Sequence, residues 1–102
     1  TNEDWPLEKE SFDIIIVTNY LYRPRIKELA NYVKKDGYIF YETFAVGNEK
    51  YGRPSNPDYL LKNKELIDIF KTRFEIIYYF HGKVSYDKLS IIQRCSLKKR
   101  PL

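Results

Sequence analysis

The run Ile14-Ile15-Ile16-Val17 constrains the fold of this chain more than any other segment. It sits inside Phe12-Asp13-Ile14-Ile15-Ile16-Val17-Thr18-Asn19-Tyr20-Leu21-Tyr22-Arg23-Pro24. Consecutive β-branched residues favour extended backbone. Being apolar at every position, they predict a strand buried on both faces, as in parallel α/β sheets. The run stops at Thr18-Asn19-Tyr20. In open α/β sheets ligands bind beyond the carboxyl ends of the strands. One segment therefore predicts a fold class and the place of a site.

The rest of the chain supplies neighbours for that strand. Residues 1–11 read as an irregular lead-in, with Trp5-Pro6-Leu7 among Glu3, Asp4, Glu8 and Glu10. The first strand is expected over Phe12–Thr18. Arg23-Pro24 opens a helix, because proline suits the first helical turn. Ile26, Leu29, Ala30 and Val33 then recur on one helical face. Lys34 and Lys35 suit the helix end, and Gly37 suits a left-handed cap. A second strand is expected over Tyr38–Phe44. Strand, helix and strand in this order imply a right-handed parallel crossover. Ala45–Pro57 is a long loop of the kind that forms binding loops or flaps. Asn63 is expected to cap a second helix, buried through Leu66, Ile67, Ile69 and Phe70. A third strand over Phe74–Phe80 is expected to place Phe74, Ile76, Tyr78 and Phe80 on one side. His81–Asp87 reads as a hairpin loop, and Leu89–Ser96 as a fourth, antiparallel strand. Without repeats or low-complexity tracts the chain is one unit, residues 1–102, closing on a basic tail over 97–102.

Composition narrows the classes. With 43% hydrophobic and 31% charged residues, the chain is globular rather than disordered. Aromatics reach 17% with ten tyrosines, which points to interfaces where the ring buries and the hydroxyl meets water. No apolar run approaches the roughly 20 residues of a membrane helix, and the acidic start does not read as a signal peptide. A single cysteine, Cys95, excludes an internal disulfide and fits a cytoplasmic setting. A lone His81 and a lone Cys95 argue against a histidine or cysteine metal site. A net charge of +4 permits nucleic-acid contact, but no RNA-recognition or helix-turn-helix pattern accompanies it. Lys98-Lys99-Arg100 reads as a solvated terminus.

The landmarks together resemble the carboxyl-terminal half of a class I S-adenosylmethionine (SAM)-dependent methyltransferase, nearest to bacterial domains like tellurite-resistance protein B. The residues that carry the likeness are Trp5-Pro6-Leu7, the strand Phe12–Thr18 with its continuation to Pro24, Lys34-Lys35-Asp36-Gly37, and Tyr41-Glu42-Thr43-Phe44. Gly47-Asn48-Glu49, Gly52-Arg53-Pro54 and Asn56-Pro57-Asp58-Tyr59-Leu60-Leu61 complete it. The likeness runs from about Trp5 to Arg100. It implies a partial Rossmann-like α/β sheet of four strands, ordered 4-5-7-6 in the full fold. The last strand is antiparallel, and two helices lie on one face. It also implies that the glycine-rich turn and acidic strand end that hold the cofactor precede the region represented here. Four glycines, none in a Gly-x-Gly cluster, agree with that. SAM then belongs to the complete parent enzyme, and this chain alone is expected to bind none and to be inactive.

The likeness assigns candidate residues. Asn19 and Tyr20, after the first strand, are candidates for cofactor contact. Glu42, at the end of a buried strand, is a substrate or general-base carboxylate, or else ion-paired with Arg53. Asn48, Tyr51, Arg53, Asn56 and Tyr59 lie on a flap over the substrate. Arg53 could hold an anionic group by a bidentate contact. The methyl acceptor is not legible.

One physical consequence concerns partners. Two right-handed crossovers stepping the same way place both helices on the same face. The other sheet face and the first strand's edge are left bare, which proteins cover by association. Burying of order 600 Å² per chain at about 25 cal/mol per Å² would favour association by about 15 kcal/mol before its entropic costs. A homodimer through the sheet face or the edge strand is the expectation. The rival readings are a stand-alone binding or assembly module and a weak nucleic-acid binder.

Overall fold

The computed structural model describes residues 7–101; Trp5 and Pro6 lie outside the described residues. Four strands, β1 (Phe12–Thr18), β2 (Val33–Phe44), β3 (Phe74–Ser85) and β4 (Leu89–Lys99), form one sheet in the order β1-β2-β4-β3. β1 runs parallel to β2, while β4 is antiparallel to both β2 and β3. This is the mixed four-stranded α/β sheet that the sequence predicts, with its expected order. A 3₁₀ segment over Ile26–Asn31 and helix α1 over Glu65–Phe70 cover one face. Ile26, Ala30, Leu66 and Phe70 from these segments meet Ile39, Tyr41, Cys95 and Leu97 from the sheet in a single core.

The first helix is shorter than its apolar stripe suggests. It ends at Asn31, and Val33 enters β2 opposite Phe12. A stripe of four apolar residues gives a short helix little to set against its nucleation cost, and strand pairing takes the last of them. Lys34 therefore lies in β2, where its ammonium sits 3.5 Å from Asp13. Gly37 is no helix cap. It lies inside β2, and a Cβ there would stand 2.6 Å from the Asp13 carbonyl oxygen. The left-handed residue is Asp36, at φ 65°.

β1 is covered on one face only, a correction to the doubly buried reading. Ile15 and Val17 pack toward the helices, whereas Ile14 and Ile16 are 53% and 71% exposed. The cause is the one argued above: both helical segments lie on the same side. A bulge between Ile76 and Tyr78 splits the apolar set expected on one side of β3. Ile76 pairs with buried Leu97, whereas Tyr78 and Phe80 pair with Ser96 and Arg94 on the bare face.

Two further expectations change. Asn63 does not cap α1; the cap position is Lys64 at φ 63°, and the Asn63 amide oxygen instead accepts the Tyr79 hydroxyl at 3.4 Å. The Leu66 amide at the start of α1 donates to the Gln93 side chain at 2.9 Å. Nor do Lys98 and Lys99 belong to a solvated terminus, because β4 continues to Lys99; Arg100 is exposed beyond it. The Lys99 ammonium is buried and donates to the carbonyls of Ala30 at 2.6 Å and Val33 at 2.7 Å. It thereby satisfies one carbonyl near the end of the 3₁₀ segment and one at the start of β2. Burial holds the Lys99 pKa below its usual value.

Candidate functional site

A cleft of about 630 Å³ opens at the carboxyl ends of β1 and β2, on the sheet face that the helices leave bare. Thr18 and Asn19 form one wall, Glu42 and Phe44 the floor, and Ser90 and Ile92 the far side. The turn carrying Tyr86, Asp87 and Lys88 overhangs it. Asn19 follows β1 with φ 54°, a region that asparagine tolerates better than most residues. Its amide donates to the Glu42 carbonyl at 3.0 Å, which holds the two residues side by side at the strand ends.

The Glu42 carboxylate is engaged by the protein itself. Arg94 Nε donates to its Oε1 at 2.7 Å. The Tyr86 hydroxyl donates to its Oε2 at 3.1 Å and accepts from Arg94 Nη2 at 2.8 Å. Arg94 also lies 5.7 Å over the Phe80 ring. The guanidinium pKa is raised chiefly by its hydrogen bond to Glu42. These three side chains form a closed ring of charge-assisted bonds that fastens the β3–β4 turn over the cleft. The ion pair expected of Glu42 is present, with Arg94 and not Arg53 as partner.

The remaining candidates spread out. Of the eight residues singled out from sequence, Asn19 and Glu42 line the cleft. Tyr20 is half exposed, and its carbonyl accepts the hydroxyl of buried Tyr41. Burial raises the Tyr41 phenol pKa. Asn48 is buried and structural: its amide nitrogen donates to Pro54 O at 2.9 Å and its oxygen accepts the Ile91 amide at 3.0 Å. Asn56 caps a short 3₁₀ turn over Pro57–Tyr59 by accepting the Asp58 amide. Tyr51 lies under Lys83 at 5.4 Å, and Arg53 and Tyr59 are exposed.

Sequence reading missed two side-chain clusters, one away from the cleft around Arg23 and one at it around Arg94. Arg23 clamps Glu65 through two bonds of 2.7 and 2.9 Å and also reaches the Leu60 carbonyl at 2.7 Å. Burial alone would raise the Glu65 pKa, but Arg23 and the Lys62 amide hold it below the usual carboxylate value. The one available signal was the place of Arg23 before Pro24, which suggested only a helix start. Tyr86 and Arg94 gave no signal, because their meeting with Glu42 depends on long-range register.

Comparison with solved structures follows from this geometry. The chain superposes over 95% of its length on a SAM-dependent methyltransferase from Methanosarcina mazei, with a TM-score of 0.69 at 16% identity. It superposes over 91% of its length on TehB from Haemophilus influenzae, with a TM-score of 0.71 at 15% identity. The fold is methyltransferase-like. The chain spans 63% of the first of those proteins and 37% of the second. No family model and no curated protein matches the sequence. Among the described residues, no helix is long and apolar enough to cross a membrane, and no His, Cys, Asp or Glu cluster could hold a metal ion.

The residues present do not suit a cradle for SAM. Close backbone approach to such a ligand needs free glycines. Gly37 is crowded by the chain's own Asp13 carbonyl, Gly47 by Ile91 and Gly82 by Phe80. Gly52, on the loop after β2, is the least crowded, with the mobile end of Lys88 3.5 Å from where a Cβ would stand. The carboxylate at the cleft, Glu42, is already held by Arg94 and Tyr86.

Proposed function

We propose that this chain is the carboxyl-terminal part of a SAM-dependent methyltransferase, without cofactor binding or activity by itself. The observation that carries this reading is the superposition of 95% of the chain on 63% of a methyltransferase. The glycine environments support it, since none combines open space with a glycine cluster at a strand end. In the complete enzyme the cleft beside Asn19 and Glu42 faces the methyl acceptor. The Glu42–Arg94–Tyr86 ring sets the height of its roof. The flap residues Tyr51, Arg53, Asn56 and Tyr59 approach the acceptor from the loop after β2. The setting is a bacterial cytoplasm.

Calorimetric titration of the chain with SAM tests the reading. No heat of binding at high micromolar cofactor is expected. Binding at or below about 100 μM, a typical enzyme ligand affinity, would overturn it. The coding DNA upstream of Thr1 gives an independent check, because this reading requires an open frame that encodes a glycine-rich turn.

A further inference from the structure

The charges at the cleft are already matched. Arg94 and the Tyr86 hydroxyl take both oxygens of the Glu42 carboxylate. Asp87 and Lys88, the other charged residues that line the cleft, are neighbours on the exposed turn above it, and their charges cancel. Lys88 also reaches the loop after β2, with its ammonium 3.5 Å from the place a Cβ on Gly52 would take. The interior therefore offers an ionised guest no free charge of opposite sign. An ion would have to break the ring or lose its hydration without a partner. Pairing with Asp87 or Lys88 at the rim adds little, because solvent screens it.

Below the turn the lining is apolar with one exception. Phe44 of β2 and Ile92 of β4 lie there, Ile92 only 3% exposed. Ser90 sits two residues before Ile92, on the same face of β4, and is 6% exposed. Among the described residues nothing hydrogen-bonds its hydroxyl. Yet no side-chain oxygen or nitrogen among them is both sealed from solvent and unpaired. The Ser90 Oγ therefore opens to the space beside it, which is the cleft. A nearly buried hydroxyl without a partner, above an apolar floor, is a seat for a ligand's hydrogen-bonding group. At about 630 Å³ the cleft falls within the roughly 300–1,000 Å³ of small-molecule sites. Phe44, Ser90 and Ile92 belong to β2 and β4, so this part of the cleft does not depend on what lies beside β1.

We propose that the cleft takes an uncharged small molecule with a ring-sized apolar body, lying on Phe44 and Ile92, and one hydroxyl or amide group bonded to Ser90 Oγ. The matched charges select against ionised analogues of the same shape. The inference rests on the methyltransferase reading only in making this molecule the methyl acceptor.

Three naphthalene probes, substituted at the same carbon, test it by amide-shift titration of the isotope-labelled full chain at pH 7. Naphthol is uncharged, naphthoate is an anion and naphthylmethylamine is a cation. Naphthol should bind with a Kd of about 1 mM or tighter, as suits a fragment of its size, and shift the amides of Phe44, Ser90 and Ile92. Each ion should bind at least about tenfold more weakly. Ser90→Ala should weaken naphthol about three- to tenfold with the far-ultraviolet spectrum unchanged. Ser96→Ala, on the same face of β4 but outside the cleft, should leave it unchanged. Tighter binding of either ion, shifts away from the cleft, no binding at all, or equal affinity in Ser90→Ala would overturn the proposal. The upstream reading frame decides the methyltransferase reading separately. Naphthol binding without an upstream glycine-rich turn would keep the site and remove its role in methyl transfer. No binding beside such a turn would remove the proposed ligand class and keep the reading.

Discussion

Gln93 Nε2 donates to His81 Nδ1 at 3.1 Å, and that bond orients the ring of the only histidine. The Gln93 oxygen accepts the Leu66 amide at 2.9 Å, so its nitrogen must face the ring. His81 Nδ1 is then the acceptor, and Nε2 donates to the Val46 carbonyl at 3.2 Å. The second Gln93 proton goes to the Lys62 carbonyl at 2.8 Å. A fully buried amide thereby joins β4 to β3, to the start of α1 and to the loop after β2.

Replacing Gln93 should be among the more damaging single changes. Gln93→Leu keeps the volume but strands the Leu66 amide and the Lys62 carbonyl. A loss of about 2–4 kcal/mol is expected, because buried polar groups left unpaired carry their full desolvation penalty. His81→Ala removes one bond at a partly exposed site and should cost about 1 kcal/mol or less. Urea unfolding of the two variants measures both; equal losses would contradict the network.

Cys95 should be inert in the folded chain. Burial pushes its thiol up to about 11, from a usual value of 9.0. At pH 8 iodoacetamide should modify unfolded protein readily and native protein hardly at all. The sign of the linkage follows: the folded state holds this proton more tightly than the unfolded state does. Its contribution, of order 2 kcal/mol, is complete below about pH 9 and is lost as the pH rises toward 11. The comparison is wild type with Cys95→Ala, by thermal unfolding between pH 7 and pH 11. The variant should show the shallower alkaline decline.

Gly37→Ala tests the close approach of β1 and β2. The added carbon would lie 2.6 Å from the Asp13 carbonyl and 2.9 Å from the Lys34 carbonyl, both backbone atoms that cannot swing aside. A loss of about 2–4 kcal/mol is expected from forced strand displacement. Gly52→Ser, at a site open to solvent but at φ 143°, should lose about 1–2 kcal/mol through backbone strain alone. Chemical denaturation separates the two.

Arg23→Ala should loosen residues 57–66 without unfolding the sheet. It removes the clamp on Glu65 and the bond to the Leu60 carbonyl. Amide exchange in that segment should rise at least about tenfold, with β2 and β4 protected as before. Uniform change across the chain would show instead that Arg23 supports the whole core.

Strand order was legible in the residues because each strand carries a local signature and the handedness of crossovers restricts how strands join. Element ends were less so. Ile26, Leu29, Ala30 and Val33 fit a helix by periodicity, yet Val33 is worth more to the sheet, opposite Phe12. The site was half legible. Asn19 and Glu42 follow from the rule that clefts open at strand ends. Arg94 does not, because it reaches Glu42 across 52 residues through the β2–β4 register, which nothing in a single segment encodes. The part Asn48 plays in tying the loop down to Pro54 and Ile91 was not legible for a related reason: its partners are set by the fold and not by its own segment.

The strand order has a consequence for how the chain comes off the ribosome. β4, the last of these four strands in chain order, lies between β2 and β3. Lys99 reaches back 66 residues to Val33 and 69 to Ala30. A nascent chain can pair β1 with β2 early, but β3 has no neighbour until β4 emerges. Until then the edge of β2 that β4 occupies lies unpaired. The sheet closes in one late step, and a ribosome that stalls before Leu97 holds a chain with no finished core.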